Sequence, residues 1–312
     1  MPNLPPKEQD IYLDNSAMST NDCARKYQLV CCYGVRPPSN ADSQFGSAAH
    51  RVMEHFVLEP SASLERKMEI VVESANKYEV NAILKLQKVA MAGDMALKKL
   101  PKVVMSQAGR PYVEIKFKVH YKDIHSPLTN TTYHIWLVGT IDYIGHDGNQ
   151  VVLVDYKTYA GKMASEKLQE YALKMQLPFY SWILYKFGDR VLGPGIAAQS
   201  AALNNMRAHY YLISHNEPVP TFRLSIGHTY KDTYFEEVER VVNDHIEDMV
   251  QVWDLGNGEE GDIHQAIKNG FTREGACKYC YFKPACVTRD DVKERAFVER
   301  MARSPYDPLN FR

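Results

Sequence analysis

Alternation of apolar and polar residues is strongest in the middle of the chain, where it predicts β-strands. Residues 112–121 carry apolar side chains at every second position from Val113, which is typical of a strand with one buried face, and Glu114 lies on the other face. Strands are also predicted at residues 133–144 and 209–214. Helical periodicity predicts helices at residues 45–54, 61–100, 163–187 and 230–254, and shorter helices are predicted at residues 23–32 and 288–303. By contrast, the opening residues 1–18 are expected to form an extended lead-in.

A hairpin at Gly139–Lys157 is the centre of the prediction. Residues 151–154 are apolar on both faces, so this strand is expected inside a sheet that is covered on both sides. It runs into Asp155 and Lys157, which point to one face because they are two residues apart. A two-residue turn brings Asp142 onto that face, a three-residue loop without a bulge puts it on the other, and the sequence leaves the register open.

Charges at the end of a buried strand require an explanation, because burying them is costly unless they are paired or hold a metal. Two carboxylates beside a lysine suit a hard divalent cation, which prefers oxygen ligands. An isolated Asp-x-Lys, however, more often belongs to an ordinary surface hairpin. The other motifs of the chain therefore decide the interpretation.

Two further pairs of residues share helix faces. Gly46 and His50 are one helical turn apart, and so are Gln176 and Tyr180. Pro178 is expected to kink its helix or to mark a new start just before it. Taken alone, a histidine in such a place is more often a packed or surface residue than a ligand.

Composition excludes several classes of protein. The 312 residues include 37 Lys and Arg against 38 Asp and Glu, so a net charge of −1 gives no overall cationic field and any nucleic-acid binding needs a local groove. No apolar run is long enough to span a bilayer, and residues 1–10 lack a signal-peptide pattern. A cytoplasmic protein without membrane contact is therefore expected.

The six cysteines are expected as thiols or metal ligands in a cytoplasmic protein. Cys277, Cys280 and Cys286 lie close together in a turn-rich segment, which favours metal over redox chemistry. Zinc and iron–sulfur clusters both accept four thiolates, and the spacing does not choose between them. The remaining cysteines, each a candidate for the fourth ligand, are Cys23, Cys31 and Cys32.

Together these motifs resemble the RecB-like branch of the PD-(D/E)xK nuclease superfamily. The positions that carry the resemblance are Gly46-x-x-x-His50, Glu114, Gly139-x-x-Asp142, Asp155-x-Lys157 and Gln176-x-x-x-Tyr180. The cysteines are similar to those of its iron–sulfur members, which include CRISPR-associated adaptation exonucleases, the AddB nuclease domain and phage relatives. Relatives usually have proline after the first cluster cysteine, where this chain has Ala24, so Cys31 and Cys32 stay open as alternatives to Cys23.

The resemblance implies an α/β fold with a restriction-endonuclease-like core, in which helices flank a central mixed β-sheet. Residues 46–255 would form this core, with a helical insertion at about residues 60–105. Residues 1–45 and 256–312 would be joined in an iron–sulfur region.

Roles for individual residues also follow from the resemblance. Mg²⁺ or Mn²⁺ would be held by His50, Asp142 and Asp155, with help from the Tyr156 carbonyl and with Glu114 as a further acid. Lys157 would orient the attacking water. Gln176 and Tyr180 would contact the nucleic-acid strand or brace the metal site. A [4Fe–4S] cluster, rather than structural zinc, would be held by four cysteines, Cys23, Cys277, Cys280 and Cys286.

The expected function is that of a metal-dependent DNA exonuclease that acts on single strands or DNA ends and leaves a 5′-phosphate and a 3′-hydroxyl. Its partners would be DNA and proteins of recombination or CRISPR adaptation, and the sequence leaves oligomerisation open. The DNA strand is expected to stack on Tyr156, Tyr159 and Tyr180. The alternatives are a non-catalytic iron–sulfur protein that binds DNA ends or acts as a scaffold, and an endonuclease or RNase on the same core.

Overall fold

The computed structural model describes residues 7–20, 23–27, 30, 40–147, 150–159, 174–193, 206–214, 221–224, 228–230, 232–257 and 280. The strands are β1 (Lys7–Leu13), β2 (Lys102–Val103), β3 (Val113–Ser126), β4 (Thr131–Asp147), β5 (Gln150–Tyr159), β6 (Met206–Ser214), β7 (Thr221–Leu224) and β8 (His228–Tyr230). The helices are α1 (Asn15–Thr20), α2 (Ala24–Tyr27), α3 (Ala41–Leu58), α4 (Leu64–Lys77), α5 (Ile83–Leu97), α6 (Gln176–Leu192) and α7 (Asp232–Asn257).

The chain divides into two compact units, each assembled from separated segments. The first unit contains residues 1–38, 117–139 and 239–312, and the second contains residues 39–116 and 140–238.

The centre of the second unit is strand β5, which pairs with a neighbour on each side. It pairs antiparallel with β4, in a register that joins Asp147 to Gln150, and parallel with β6, in a register that joins Asp155 to Tyr210. Strands β7 and β8 pair antiparallel with β6, and β2 pairs antiparallel with the end of β4. The sheet is therefore mixed, as predicted, and residues 151–156 are all buried in it.

Helices cover both faces of this sheet. Helices α3, α4 and α5 form one core with Val152, Val154 and Tyr156 of β5 and with residues of β6. Gln176, at the start of α6, contacts Asp155, which strand alternation places on the opposite face. Because helices pack on each side, residues 151–154 of β5 can be apolar on both faces, and the predicted α/β architecture is confirmed.

Local signals explain where the helices of this unit begin and end. The Asn40 side chain accepts a hydrogen bond of 2.8 Å from the backbone N–H of Ser43 and so caps α3, which ends two residues before Pro60. Helix α6 begins at Gln176, so Pro178 lies in its first turn, where its missing N–H is not needed. The predicted new start just before Pro178 is confirmed, whereas residues 163–173 of that predicted helix lie outside the described residues.

In the first unit, β1 pairs parallel with β4, in a register that runs from Lys7 opposite Thr131 to Leu13 opposite Leu137. The prediction that residues 1–18 form an extended lead-in is wrong for residues 15–18, which lie in α1, whereas residues 7–13 are extended but pair into the sheet as β1. Only the last part of β1 carries apolar side chains that are buried, so its alternation is too short to recognise. The pairing with β4, rather than local preference, makes this segment a strand.

Helix α7 is joined to the β3–β4 segment of the first unit by one carboxylate. Asp254 accepts hydrogen bonds from the hydroxyls of Ser126, Thr129 and Tyr133 at 2.7, 2.9 and 2.7 Å. Tyr133 is fully buried, so its hydroxyl depends on this acceptor. None of the helices that the structure describes combines the length and the apolar character needed to cross a bilayer.

Candidate active site

The register of the β4–β5 hairpin decides how its two carboxylates are arranged. Asp147 pairs with Gln150 and Tyr143 with Val154, so two residues lie between the paired strand ends. These pairs end at Tyr143 and Val154, one residue before Asp142 and Asp155. The hairpin therefore has the two-residue spacing of the first alternative, and Asp142 lies close enough to the end of β5 to accept a hydrogen bond from the backbone N–H of Tyr156.

Asp142 is buried and receives its contacts from the backbone and from helix α3. Its Oδ2 accepts a hydrogen bond of 2.7 Å from the backbone N–H of Tyr156, and it lies 3.4 Å from Nδ1 of His50. Nδ1 of His50 also lies 3.2 Å from Oε1 of Glu114. One ligand atom from each of the three residues, His50, Glu114 and Asp142, lies within 4.8 Å of the other two.

Glu114 reaches this group through an unusual backbone conformation. Its φ is +47°, in the left-handed region that residues with a Cβ seldom occupy, although it lies inside β3. Such a conformation costs on the order of 1–2 kcal/mol and persists only where the surroundings impose it. Strain at an acid that contacts His50 is typical of a functional site.

Asp155 stands beside this group and has its own partners. Its Oδ1 accepts a hydrogen bond of 2.6 Å from Nε2 of Gln176, and its Oδ2 lies 2.6 Å from Nζ of Lys157. Asp155 and Lys157 therefore form a close ion pair at the end of β5. Asp155 is 2% exposed, whereas the Lys157 side chain is 25% exposed.

Burial and charge together shift the pKa values of the site. Burial raises the pKa of Asp155 to about 6, because the attraction of Lys157 does not offset it and the charge of Asp142 adds to the rise. Burial also acts to raise the pKa of Asp142, but the charge and hydrogen bond of His50 outweigh it and hold that pKa below its ordinary value. Burial lowers the pKa of His50, and the charge of Asp142 and the bonds to Asp142 and Glu114 reverse this and raise it to about 10.

The arrangement fits a divalent cation. Without a metal, an imidazolium at His50 and the ammonium of Lys157 supply the positive charge that the carboxylates require. A dication next to Asp142 and Glu114 would replace the His50 proton, and one nitrogen among oxygen ligands tolerates Mn²⁺ as well as Mg²⁺. Residues that could hold the ion are thus His50, Glu114, Asp142 and Asp155.

The other predicted positions vary in their relation to this site. Gln176 joins it through Asp155, while Tyr180, one turn later on α6, is buried. Tyr156 and Tyr180 are 3% and 6% exposed, so stacking of bases on these two rings, as expected from the sequence, does not fit this structure. The side chain of Tyr159 lies outside the described residues.

Of the cysteines, Cys23 and Cys280 are described as partly buried free thiols. Four others, Cys31, Cys32, Cys277 and Cys286, lie outside the described residues. Cys23 and Cys280 both belong to the first unit.

Sequence reasoning assigned no role to Glu54, which lies one turn after His50 on α3. Burial raises its pKa, and the charge of Glu114 adds to the rise. The signal was present in the four-residue spacing from Gly46 through His50 to Glu54. A third acid therefore borders the group of His50, Glu114 and Asp142.

A family model of the PD-(D/E)XK nuclease superfamily matches residues 16–287, which is most of the chain. The chain belongs to the PD-(D/E)XK nuclease superfamily. The match includes every residue of the site described above, and the mixed sheet with flanking helices is the restriction-endonuclease-like core of that superfamily. No curated protein matches the sequence significantly.

Solved structures similar to this superfamily member are distant in sequence. One is the crystal structure of a candidate exonuclease from Eubacterium rectale, with 12% identity and a TM-score of 0.43, covering 83% of this chain and 88% of that one. Another is the structure of the protein SSO0001, with 13% identity and a TM-score of 0.27, covering 78% of this chain and 84% of that one.

Proposed function

We propose that this chain is a metal-dependent deoxyribonuclease of the RecB-like branch, and that it acts as an exonuclease on single strands or DNA ends. The observation that carries the proposal is the group of His50, Glu114 and Asp142 beside the Asp155–Lys157 pair. A non-catalytic DNA-binding protein would have no need for buried acids whose pKa values are displaced in opposite directions.

Each residue of the group has a task in this reaction. A bound Mg²⁺ or Mn²⁺ would lower the pKa of a water molecule and offset charge on the scissile phosphate. The backbone N–H of Tyr156 fixes the Asp142 carboxylate, and Gln176 fixes the Asp155 carboxylate. His50 and Glu114 complete the ligand set, with the Tyr156 carbonyl as a further candidate ligand.

Lys157 is the candidate catalytic cation. Its ammonium is tethered to Asp155 at 2.6 Å and is a quarter exposed, so it reaches both the acids and an incoming phosphate. In this position it orients the attacking water and stabilises charge on the phosphate as a 5′-phosphate and a 3′-hydroxyl are released. Gln176 and Tyr180 support the metal site or contact the strand.

The decisive experiment compares wild type with Lys157→Ala on end-labelled single- and double-stranded DNA in the presence of Mg²⁺ or Mn²⁺. Lys85→Ala is a matched control, because Lys85 is an exposed helical lysine outside the site. We expect cleavage to be lost in Lys157→Ala alone, since removing one preorganised charge costs on the order of 10²–10³ in rate. Equal cleavage by all three proteins would refute the catalytic assignment.

A circular single-stranded substrate separates the exonuclease from an endonuclease on the same core. An exonuclease degrades the linear strand and leaves the circle intact. Cleavage of the circle at a comparable rate would replace the exonuclease assignment with that of an endonuclease.

A [4Fe–4S] cluster on Cys23, Cys277, Cys280 and Cys286 is the second part of the proposal. Its support is that Cys23 and Cys280 are free thiols of the same unit, together with the resemblance to iron–sulfur nucleases. Such a cluster would close the chain between Cys23 and Cys277 into one long loop, and closing a long loop would contribute mainly to stability. Anaerobic purification with iron and sulfide analysis tests it, and a colourless protein with stoichiometric zinc would contradict it.

A further inference from the structure

A second group of metal-ligating side chains lies in the first unit, on strands β3 and β4. Oδ1 of Asp123 lies 2.7 Å from Nε2 of His120 and 2.8 Å from Nδ1 of His134. The three ligand atoms all lie within 4.8 Å of one another. His120 and Asp123 come from β3 and His134 from β4, so the group joins two strands.

The donor set differs in kind from that of the candidate active site. Two imidazole nitrogens and one carboxylate oxygen suit a borderline ion of the zinc class, whereas Mg²⁺ prefers oxygen alone. Tetrahedral zinc with bonds of about 2.0–2.1 Å holds its ligand atoms about 3.3 Å apart. Each histidine nitrogen would therefore move about half an ångström away from Oδ1 of Asp123 on binding, and the two nitrogens already lie within 4.8 Å of each other.

Exposure gives the group room to adjust and an entry path for an ion. The side chains of His120, Asp123 and His134 are 41%, 52% and 27% exposed. Solvent can thus reach the group on one side, which leaves a fourth coordination position for water.

Neighbouring contacts hold one of the histidines in position. The ring of His120 meets that of Trp136 edge to face, with ring centres 5.1 Å apart. Trp136 in turn donates a hydrogen bond of 2.8 Å from Nε1 to Oδ1 of Asp10 on β1. Such supporting contacts are typical of metal sites, in which the surroundings orient the ligands.

We propose that His120, Asp123 and His134 form a second metal site, specific for a divalent transition ion of the zinc class and separate from the nuclease centre. Binding of the ion links β3 to β4, and through Trp136 it also favours the packing of β1. The ion therefore stabilises the first unit and takes no part in phosphodiester cleavage.

The test measures binding of Zn²⁺ and Co²⁺ to the full chain with Mg²⁺ in excess. The variants are His134→Asn and Asp123→Asn, with His125→Asn as the matched control, because His125 is an exposed histidine of β3 outside the group. We expect each of the two variants to lower the affinity at least about tenfold relative to wild type and control. Both substitutions are at partly exposed positions, so the variants are expected to fold, and their melting temperatures in EDTA verify this.

The Co²⁺ spectrum distinguishes this site from the cysteines. Nitrogen and oxygen ligands give ligand-field absorption without the near-ultraviolet charge transfer of cobalt thiolates. We expect this signal in wild type and in His125→Asn, along with a Zn²⁺-dependent rise in melting temperature, and loss of both effects in His134→Asn. Unchanged binding in the two variants, or a signal from thiolates alone, would overturn the proposal.

Discussion

Replacing Asp155 with asparagine should make the metal-free protein more stable while removing its metal-dependent activity. The folded protein raises the pKa of Asp155 from 3.8 to about 6, mainly by burial. A shift of about two units corresponds to about 3 kcal/mol against the charged form at neutral pH. The neutral amide of the Asp155→Asn variant would avoid this cost and keep an oxygen that accepts the hydrogen bond from Gln176.

The net gain is smaller than this limit because Lys157 loses its ion-pair partner. Lys157 is partly exposed and can be solvated, so we expect a gain of about 1–3 kcal/mol. With an unfolding entropy of about 2.1 cal/mol/K per residue, that gain corresponds to an increase in melting temperature of about 2–5 °C for the full chain.

The sign of the pH dependence follows from the raised pKa. A raised carboxyl pKa contributes stability below the unfolded pKa near 4, and this contribution is lost as the pH rises through 6. The penalty that Asp155→Asn removes is therefore complete above about pH 7. At pH 5 Asp155 is largely protonated in the folded protein but ionised in the unfolded chain, so about half of the penalty is already present and the stability difference should be about half of that at pH 8.

Thermal melts in EDTA at pH 5 and pH 8 provide the measurement, with Asp147→Asn as the control for an exposed acid of the same hairpin. Addition of Mg²⁺ or Mn²⁺ should stabilise wild type and have little effect on Asp155→Asn. The reasoning fails if Asp155→Asn is less stable than wild type at pH 8, or if the difference is the same at both pH values.

Three further predictions concern other parts of the chain. Asp254→Ala should lower the free energy of unfolding by about 2–4 kcal/mol, because three hydroxyls lose their acceptor and the hydroxyl of Tyr133 is buried. Urea denaturation measures the change, and a loss of stability below about 1 kcal/mol would contradict the prediction. Gly93→Ala should cost about 1–3 kcal/mol in the same assay, because its Cβ would lie 2.2 Å from Sδ of buried Met53. The control Gly46→Ala, in helix α3, meets nothing within 4 Å and should be slightly more stable than wild type, because alanine is the better helix former. His50→Asn should be less stable than metal-free wild type at pH 7, because the raised pKa of His50 contributes stability that is fully present below pH 6.5. This contribution is lost as the pH rises through about 10, so the melting temperatures of the two proteins should converge there. A difference in melting temperature that does not change with pH would be the contrary result.

The sequence predicted the hairpin well because its signals are local. An apolar run that ends in Asp155 and Lys157 indicates a buried strand with charges at its end, and β5 has that form. Local signals could not give the register, because a two-residue turn and a three-residue loop are both compatible with the same residues. The pairing of Asp147 with Gln150 comes from the packing of the strands.

Other features depend on residues that are distant along the chain. The left-handed backbone of Glu114 costs energy locally and is imposed by the surrounding structure, so no propensity predicts it. Asp123 and His134 come together through the folding of β3 and β4, and their spacing matches no metal-binding motif. Strand β1 was missed because most of its side chains are polar and its partner lies more than a hundred residues away.

The division of the first unit into three segments has a consequence for the newly made chain on the ribosome. The last residue of the second unit is 238, whereas the first unit also requires residues 239–312. At a synthesis rate of about 5–20 residues per second, those residues take roughly 4–15 seconds to appear. The site around Asp142 and Asp155 can therefore assemble before Asp254 is available to the hydroxyls of Ser126, Thr129 and Tyr133.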